Sequence, residues 1–395
     1  MKDKFTLIKD SFIAKTGRSG EIRIYSAPGR TEIGGNHTDH QKGRVLAASV
    51  NLETTAAVMA RDDNKIRVIS ESFPDSFVDL GNMDPQPSDI NSTEGLIRGV
   101  ASYLSEKGFN TGGFDAYVTS NIPAGSGLSS SAAFEILTGF ILSDLYNGGN
   151  IKASVLAAAG QYAENRYFGK PCGLMDQTAC AEGGLCAMDF KDPAAPEISR
   201  IGFDFKAKGY DICIVNTGGS HADLTPEYAA IPNEMRSVAS FFGQETLRGL
   251  SSDEILGNIK ELRSKTSDRA ILRALHFTEE NERVTEETDA LRRGDLQTFF
   301  ALIRRSGDSS FKYLQNIYAG SDPLTQSLSL ALAATDVFLG SEGAFRVHGG
   351  GFAGTIQAFV PEGLTEDYRA LMDKTFGEGS CLVLGIRDKG GVRYQ

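Results

Sequence analysis

The stretch Pro123-Ala124-Gly125-Ser126-Gly127-Leu128-Ser129-Ser130-Ser131-Ala132-Ala133 does most to limit what this chain can fold into. It lies between an alternating, strand-like run from Phe114 to Asn121 and an apolar run from Ala132 to Tyr146 that reads as a helix. Gly125 and Gly127 permit positive φ and let a ligand approach the backbone closely. Ser129 to Ala133 form the first helical turn, whose N–H groups have no acceptor within the helix. Those amides and the positive end of the helix dipole make a seat for an anion. Three serine hydroxyls add donors, and one of them suits a Mg²⁺ ion. The loop is not a P-loop, because no Lys follows a glycine, nor a dinucleotide fingerprint, because Ser130 stands where the third glycine would be. The plain alternative is a Gly/Ser turn that only caps a helix. A second glycine-rich segment, His348-Gly349-Gly350-Gly351-Phe352-Ala353-Gly354, precedes a strand and reads either as a close-packing loop or as a flexible connection.

Strand-like and helical stretches alternate through the rest of the chain, which sets the class as mixed α and β. Strands are expected from Ile22 to Gly29, over Val45 to Met59 as a pair interrupted near Asn51, at Arg67 to Ser70, Tyr210 to Asn216, Gly354 to Val360 and Cys381 to Ile386. Helices are expected over Glu94 to Lys107 and Ile151 to Phe168, and Ser251 to Arg305 reads as largely helical. The Pro/Ala-rich run from Lys191 to Pro196 marks a domain boundary, giving domains 1–195 and 196–380.

Two polar clusters lie outside the glycine loops. Arg30, Glu32, Asn36, His37, Thr38, Asp39 and His40 crowd one connection, which is either a solvated loop or a set of groups suited to sugar hydroxyls. Asp176 sits among small and apolar neighbours in Pro171-Cys172-Gly173-Leu174-Met175-Asp176-Gln177, so its carboxylate is not fully solvated. His221, His276 and His348 read as surface or supporting groups rather than catalysts.

Composition narrows the partners. With 51 acidic against 40 basic residues the net charge is −11, which disfavours nucleic acid and anionic membranes as partners. No run approaches the ~18 apolar residues of a membrane span, and Met1 to Phe5 has no apolar leader, so a cytoplasmic protein is expected. The five cysteines are odd in number and lack CxxC spacing, which reads as reduced thiols rather than a zinc site.

Together these motifs resemble the GHMP kinase superfamily. The segment Gly29-Arg30…Ile33-Gly34…His37-Thr38-Asp39 and the run from Pro171 to Gln177 are similar to its galactokinase branch. So are His221…Glu227-Tyr228 and the run from Ala290 to Asp295. The resemblance spans roughly residues 20 to 360. It implies an α+β, two-domain fold with the active site at the domain interface, and a last strand near 381–395 that returns to the N-terminal domain. It implies an ATP-dependent sugar 1-kinase that turns galactose and ATP into galactose 1-phosphate and ADP. Asp176 and Arg30 match catalytic positions. Asn36, His37, Asp39, Gly173 and Tyr228 match substrate-binding positions. Gly125, Ser126, Gly127, Leu128, Ser129, Ser130, Ser131 and Ala132 match the nucleotide loop, and Ser131 and Glu164 match Mg²⁺ ligands. ATP rather than GTP rests on the resemblance alone, with Ser70 to Ser72 and Glu94 to Gly99 as candidates for the adenine end. The small-molecule sugar and ATP are the partners implied, with no obligate protein partner.

The first motif departs from the family. The usual Glu before the histidine is Asn36, the usual Tyr after the Asp is His40, and the usual Asn two residues after the Arg is Glu32. Removing a carboxylate beside the sugar relieves a repulsion of roughly 1 to 4 kcal/mol toward a sugar acid. Plant galacturonokinases resemble this segment, with Asp39-His40-Gln41 in common, so galacturonate is the alternative substrate. A non-catalytic galactose and ATP sensor is a further alternative. The intact run from Ser129 to Ala133 speaks against it.

Overall fold

The computed structural model describes residues 4–71, 73–123, 125–219 and 224–394. His221, Ser72 and Ala124, which figured in the motifs above, lie outside the described residues. In chain order the elements are α1 (Lys4–Thr16), β1 (Arg23–Gly34), β2 (Arg44–Ala60), β3 (Lys65–Ser70), β4 (Ser76–Asp79), α2 (Thr93–Glu106), β5 (Phe114–Ser120), α3 (Ser130–Asn147), α4 (Ala153–Ala163), α5 (Met175–Glu182), β6 (Leu185–Asp189) and β7 (Glu197–Ile201). They continue with β8 (Tyr210–Asn216), α6 (Thr225–Phe241), α7 (Ser252–Gly257), α8 (Ile259–Leu262), α9 (Asp268–Arg293), α10 (Leu296–Ser309), α11 (Ser327–Leu339), β9 (Ala344–His348), β10 (Thr355–Pro361), α12 (Thr365–Phe376), β11 (Cys381–Leu384) and β12 (Val392–Arg393).

The strands form two sheets. The larger is ordered β12-β1-β2-β5-β3-β4, with β6 on β2 and β7 on β6; the smaller is ordered β11-β8-β10-β9. The Pro/Ala-rich segment expected to divide the chain is the turn of the β6–β7 hairpin, whose register runs Leu185↔Ile201 to Asp189↔Glu197. The larger sheet therefore extends to Ile201, and the change of sheet comes after it. At the other end β11 pairs with β8, and β12 returns to pair with β1 at Tyr25↔Arg393.

The expected break in the second strand is instead a change of partner. The β2 strand runs unbroken, pairing with β6 over Arg44 to Ala48 and with β5 over Thr54 to Ala60. Asn51 sits between the two partners and stays extended because its backbone and side chain both bond to Gly385. The polar residue marks the junction without interrupting the strand.

The β1 strand is buried along nearly its whole length, as expected for an inner strand. Its ladder to β2 shifts register between Pro28 and Arg30 and again between Glu32 and Gly34. Such irregularities re-aim side chains next to active sites. One face of the larger sheet packs on α2, α3 and α4 through Tyr25, Val58, Ile97, Val100, Ile136 and Leu156. A separate core joins the two halves, with Ile33, Leu46 and Leu128 in the same cluster as Ile214, Leu291, Phe299 and Phe359. That shared core holds the Ser-rich loop and β1 against the second sheet.

Candidate active site

The Ser-rich loop enters α3 through Ser129, which adopts φ +57°, and no side chain caps the helix. Left-handed conformations outside glycine are costly and concentrate at functional sites. Here the geometry frees the Ser129 hydroxyl to donate to Asp176 Oδ2 at 2.5 Å and leaves the helix N-terminus to the cleft. Gly125, Gly127 and Ser130 are exposed, Ser129 and Ser131 are half-buried, and the side chains of Ser126, Leu128 and Ala132 point into the protein. Those three offer only their backbones; Ser126 Oγ is held by Pro123 O at 2.7 Å.

Asp176 lies on α5 and Arg30 on the irregular part of β1. Arg30 donates from Nε to Asp176 Oδ1 and from Nη2 to Oδ2, both at 2.8 Å, in a bidentate pair. Its Nη1 donates to Gly127 O at 2.5 Å, and its backbone N–H to Leu128 O at 3.0 Å. Gly29 must be glycine, because a Cβ there would stand 2.7 Å from Leu128 O. The loop, Arg30 and Asp176 are thus one hydrogen-bonded unit. It lines an open cleft of about 250 Å³ with Pro123 and Lys170. Burial works to raise the Asp176 pKa, but the Arg30 charge and the hydrogen bonds from Arg30 and Ser129 outweigh it and hold the carboxyl below its usual range. Its side chain is 34% exposed and lines the cleft.

The expected helix from Ile151 to Phe168 is α4 followed by a π-helical turn over Glu164–Phe168. Such turns mark functional positions. This one presents Glu164 to Ser131, whose hydroxyl donates to Glu164 Oε1 at 2.7 Å. A hydroxyl beside a carboxylate is the hard-oxygen pair that Mg²⁺ prefers, and this ion is commonly held by one or two carboxylates plus phosphates and water. Among the described residues no group of three or more His, Cys, Asp or Glu could hold a metal ion by itself. A divalent ion held here would therefore draw the rest of its shell from phosphate oxygens and water. Lys170, on the rim 4.0 Å from Glu164, was not legible in the sequence, where it is one basic residue in a polar loop.

The residues matched to the sugar, His37, Asp39, Gly173 and Tyr228 among them, are half-buried, with one exception. Gly173 packs directly on Asp39: a Cβ on Gly173 would fall 1.8 Å from Asp39 Oδ2. The His37 ring reaches Gly350 O at 3.0 Å, and burial pushes its pKa down to about 3. Tyr228, on α6, donates to Gly351 O at 2.7 Å, and its ring fills the space a Gly350 side chain would need. Gly350 and Gly351 are thus close-packing positions, while a side chain on Gly349 would meet nothing within 4 Å. Asn36 is the exception. It is fully buried, and its amide is committed: Nδ2 donates to Glu32 Oε1 at 3.0 Å and Gly349 O at 2.7 Å, while Oδ1 accepts from Asn316 Nδ2 at 2.9 Å. His276 and His348 are buried as well, and both hydrogen-bond to the segment 31–36. Of the stretch 94–99 offered for adenine, none lines the cleft; Leu96, Ile97 and Gly99 are buried in α2.

Residues 95–184 match the GHMP kinases N terminal domain, and residues 10–60 match the galactokinase galactose-binding signature. A galactokinase of Glaesserella parasuis serovar 5 (strain SH0165) is 34% identical over 355 residues, covering 89% of this chain and 88% of the relative. The crystal structure of Lactococcus lactis galactokinase complexed with galactose superposes with a TM-score of 0.85 at 26% identity, covering 99% of this chain and all of the other. A Methanococcus jannaschii mevalonate kinase, at 17% identity and a TM-score of 0.65 over 93% of this chain, shares the fold.

Proposed function

This chain belongs to the galactokinase branch of the GHMP kinases, and on that premise we propose that it moves the γ-phosphoryl group of ATP onto the anomeric hydroxyl of galactose, with Asp176 and Arg30 at the reacting atoms. The observation that carries this reading is the Asp176 carboxylate, held by Arg30 and by Ser129 of the phosphate loop yet open to the cleft.

The C1 oxygen attacks the γ-phosphorus, the bond from that phosphorus to the bridging oxygen of ADP breaks, and the hydroxyl proton passes to Asp176. The contacts that keep Asp176 ionised also make it a weak base. A weak base suits a loose transition state, in which the attacking hydroxyl needs little activation before the phosphorus–oxygen bond forms. Arg30 keeps the base charged and offsets charge on the transferring group. The loop amides and the α3 N-terminus hold the phosphate chain. Ser131 and Glu164 are the residues that would hold Mg²⁺, which when bound neutralises phosphate charge. His37, Asp39, Gly173 and Tyr228 shape the sugar side.

The Asn36 arrangement supports galactose over galacturonate. Its one amide donor group is already shared between Glu32 and Gly349, leaving no spare donor for a sugar carboxylate. The paired Arg30 and Asp176 and the Ser131–Glu164 contact support an active kinase over a sensor. No described helix is long and apolar enough to cross a membrane, and all five cysteines are free; a cytoplasmic setting accords with both. ADP release measured across a panel of sugars tests the reading. Galactose should give the highest kcat/KM, and a preference for galacturonate, or sugar binding without ADP release, would contradict it.

A further inference from the structure

We infer that His348 is a positioning residue for phosphoryl transfer: with Thr355 it locks the strand that carries Arg30 against the phosphate loop. This rests on the kinase reading and deepens it. His348 ends β9 in the smaller sheet and is 2% exposed. Its Nε2 lies 3.2 Å from the backbone nitrogen of Glu32, a group that can only donate, so Nε2 must present a lone pair. The Thr31 hydroxyl stands 3.1 Å from the same nitrogen. It already accepts from Gln357 Nε2 at 2.7 Å, so its own proton is available to His348. With Nε2 as acceptor, the neutral ring carries its proton on Nδ1 and donates it to Thr355 Oγ1, 2.9 Å away. The charged groups acting on the ring are Arg30, Arg346 and Asp176. Burial, followed by the two arginines, disfavours the imidazolium, and only Asp176 favours it.

On its other side this pair meets the phosphate loop. A Cβ placed on Gly127 would come within 2.9 Å of Thr355 Oγ1 and 3.1 Å of His348 Nδ1, so the ring and the hydroxyl form the wall on which the loop rests. The carbonyl of that same Gly127 accepts from Arg30 Nη1. His348 therefore bonds to the two residues that follow Arg30 on a strand whose ladder is irregular on both sides, and it abuts the loop residue that Arg30 grips. It touches no reacting atom. Its action is on where Arg30, and through it Asp176, stand relative to the loop.

The test compares His348→Leu, which removes the acceptor, with His348→Gln, which offers one at a similar reach. Both are measured below their melting midpoints, with activity scaled to folded protein. His348→Leu should lower kcat between about tenfold and a hundredfold while KM for ATP and for galactose stay within about threefold. His348→Gln should return kcat to within about threefold of the wild type. An unchanged kcat in His348→Leu, an effect confined to KM, or a Gln variant no better than the Leu variant would overturn the inference. Should His348→Leu fail to fold, Thr355→Val and Thr355→Ser decide. The first should lose at least about threefold in kcat and the second should not, and equal values would overturn it. A wild-type protein without sugar-dependent ADP release sinks the kinase reading, whereas an active wild type with indifferent variants sinks only the role of His348.

Discussion

Two ion pairs stand two residues apart on β1. Arg30 pairs with Asp176 and Glu32 pairs with Arg346, each across the junction between elements, and each uses Arg–carboxylate bonds of 2.7 to 2.8 Å. They differ in what surrounds them. The Asp176 side chain is 34% exposed and lines the cleft beside the Ser-rich loop, whereas those of Glu32 and Arg346 are 5% and 0% exposed. Arg346 also donates to Ile33 O, and Glu32 to Asn36 contact completes a closed polar knot. Burial leaves the Glu32 pKa raised despite Arg346, while at Asp176 the balance falls the other way. The same pairing leaves a carboxylate open to the cleft at one position and bridges the two sheets in a closed knot at the other, and the deciding variable is access to the cleft.

If that contrast is right, substitutions in the two pairs separate activity from stability. The largest effect is expected in Arg30→Met, which should lower kcat by about 10³-fold, because it removes charge stabilisation of the transferring group together with the partner of Asp176. Since Asp176 is part-exposed, the melting temperature should move little; calorimetry and kinetics on one preparation check both. Next, Arg346→Met should cost about 3 to 5 kcal/mol of stability in denaturant titration, because it strands the buried Glu32 carboxylate. A stable Arg346→Met with impaired kcat would break the comparison. The smallest effect is that of Ser129→Ala, with a loss of about fivefold in kcat, the scale of one hydrogen bond. Its signature is pH. The Asp176 pKa is depressed, so the ionised form, and any stability it contributes, is present above the ordinary carboxylate pKa of about 4 and is lost as pH falls through the lower folded value. Deleting the Ser129 bond raises that folded value, so the acid limb of the kcat/KM profile should move toward higher pH.

The parts of this site that were legible in the sequence are those with local signatures. Gly125 and Gly127, placed between an alternating strand and an apolar helix, mark a tight turn into that helix, and they adopt φ values of +71° and +69° that glycine favours. Arg30 and Asp176 stand out locally, as a member of a polar cluster and as a part-shielded carboxylate, but their pairing, and Glu164 altogether, come only from the family pattern, because nothing local shows that residues 146 apart will meet. Hidden altogether was β9. Its sequence, Ala344-Phe345-Arg346-Val347-His348, carries an Arg and a His where the strand is buried, and the Arg346 charge that masks it is met by Glu32 and Ile33 O far along the chain. Asn36 misled for the converse reason. In sequence it is a polar residue among sugar-suited groups, but three partners from distant segments, Gly349, Ser310 and Asn316, draw it inward.

On the proposed reading, the carboxylate facing the Ser-rich turn takes part in the transfer step. Substituting Asp176→Asn keeps the shape and removes the base. ATP affinity by titration calorimetry should stay within about twofold of the wild type, while sugar-dependent ADP release should fall by about 10³-fold or more. Near-normal ADP release from that variant would contradict the account.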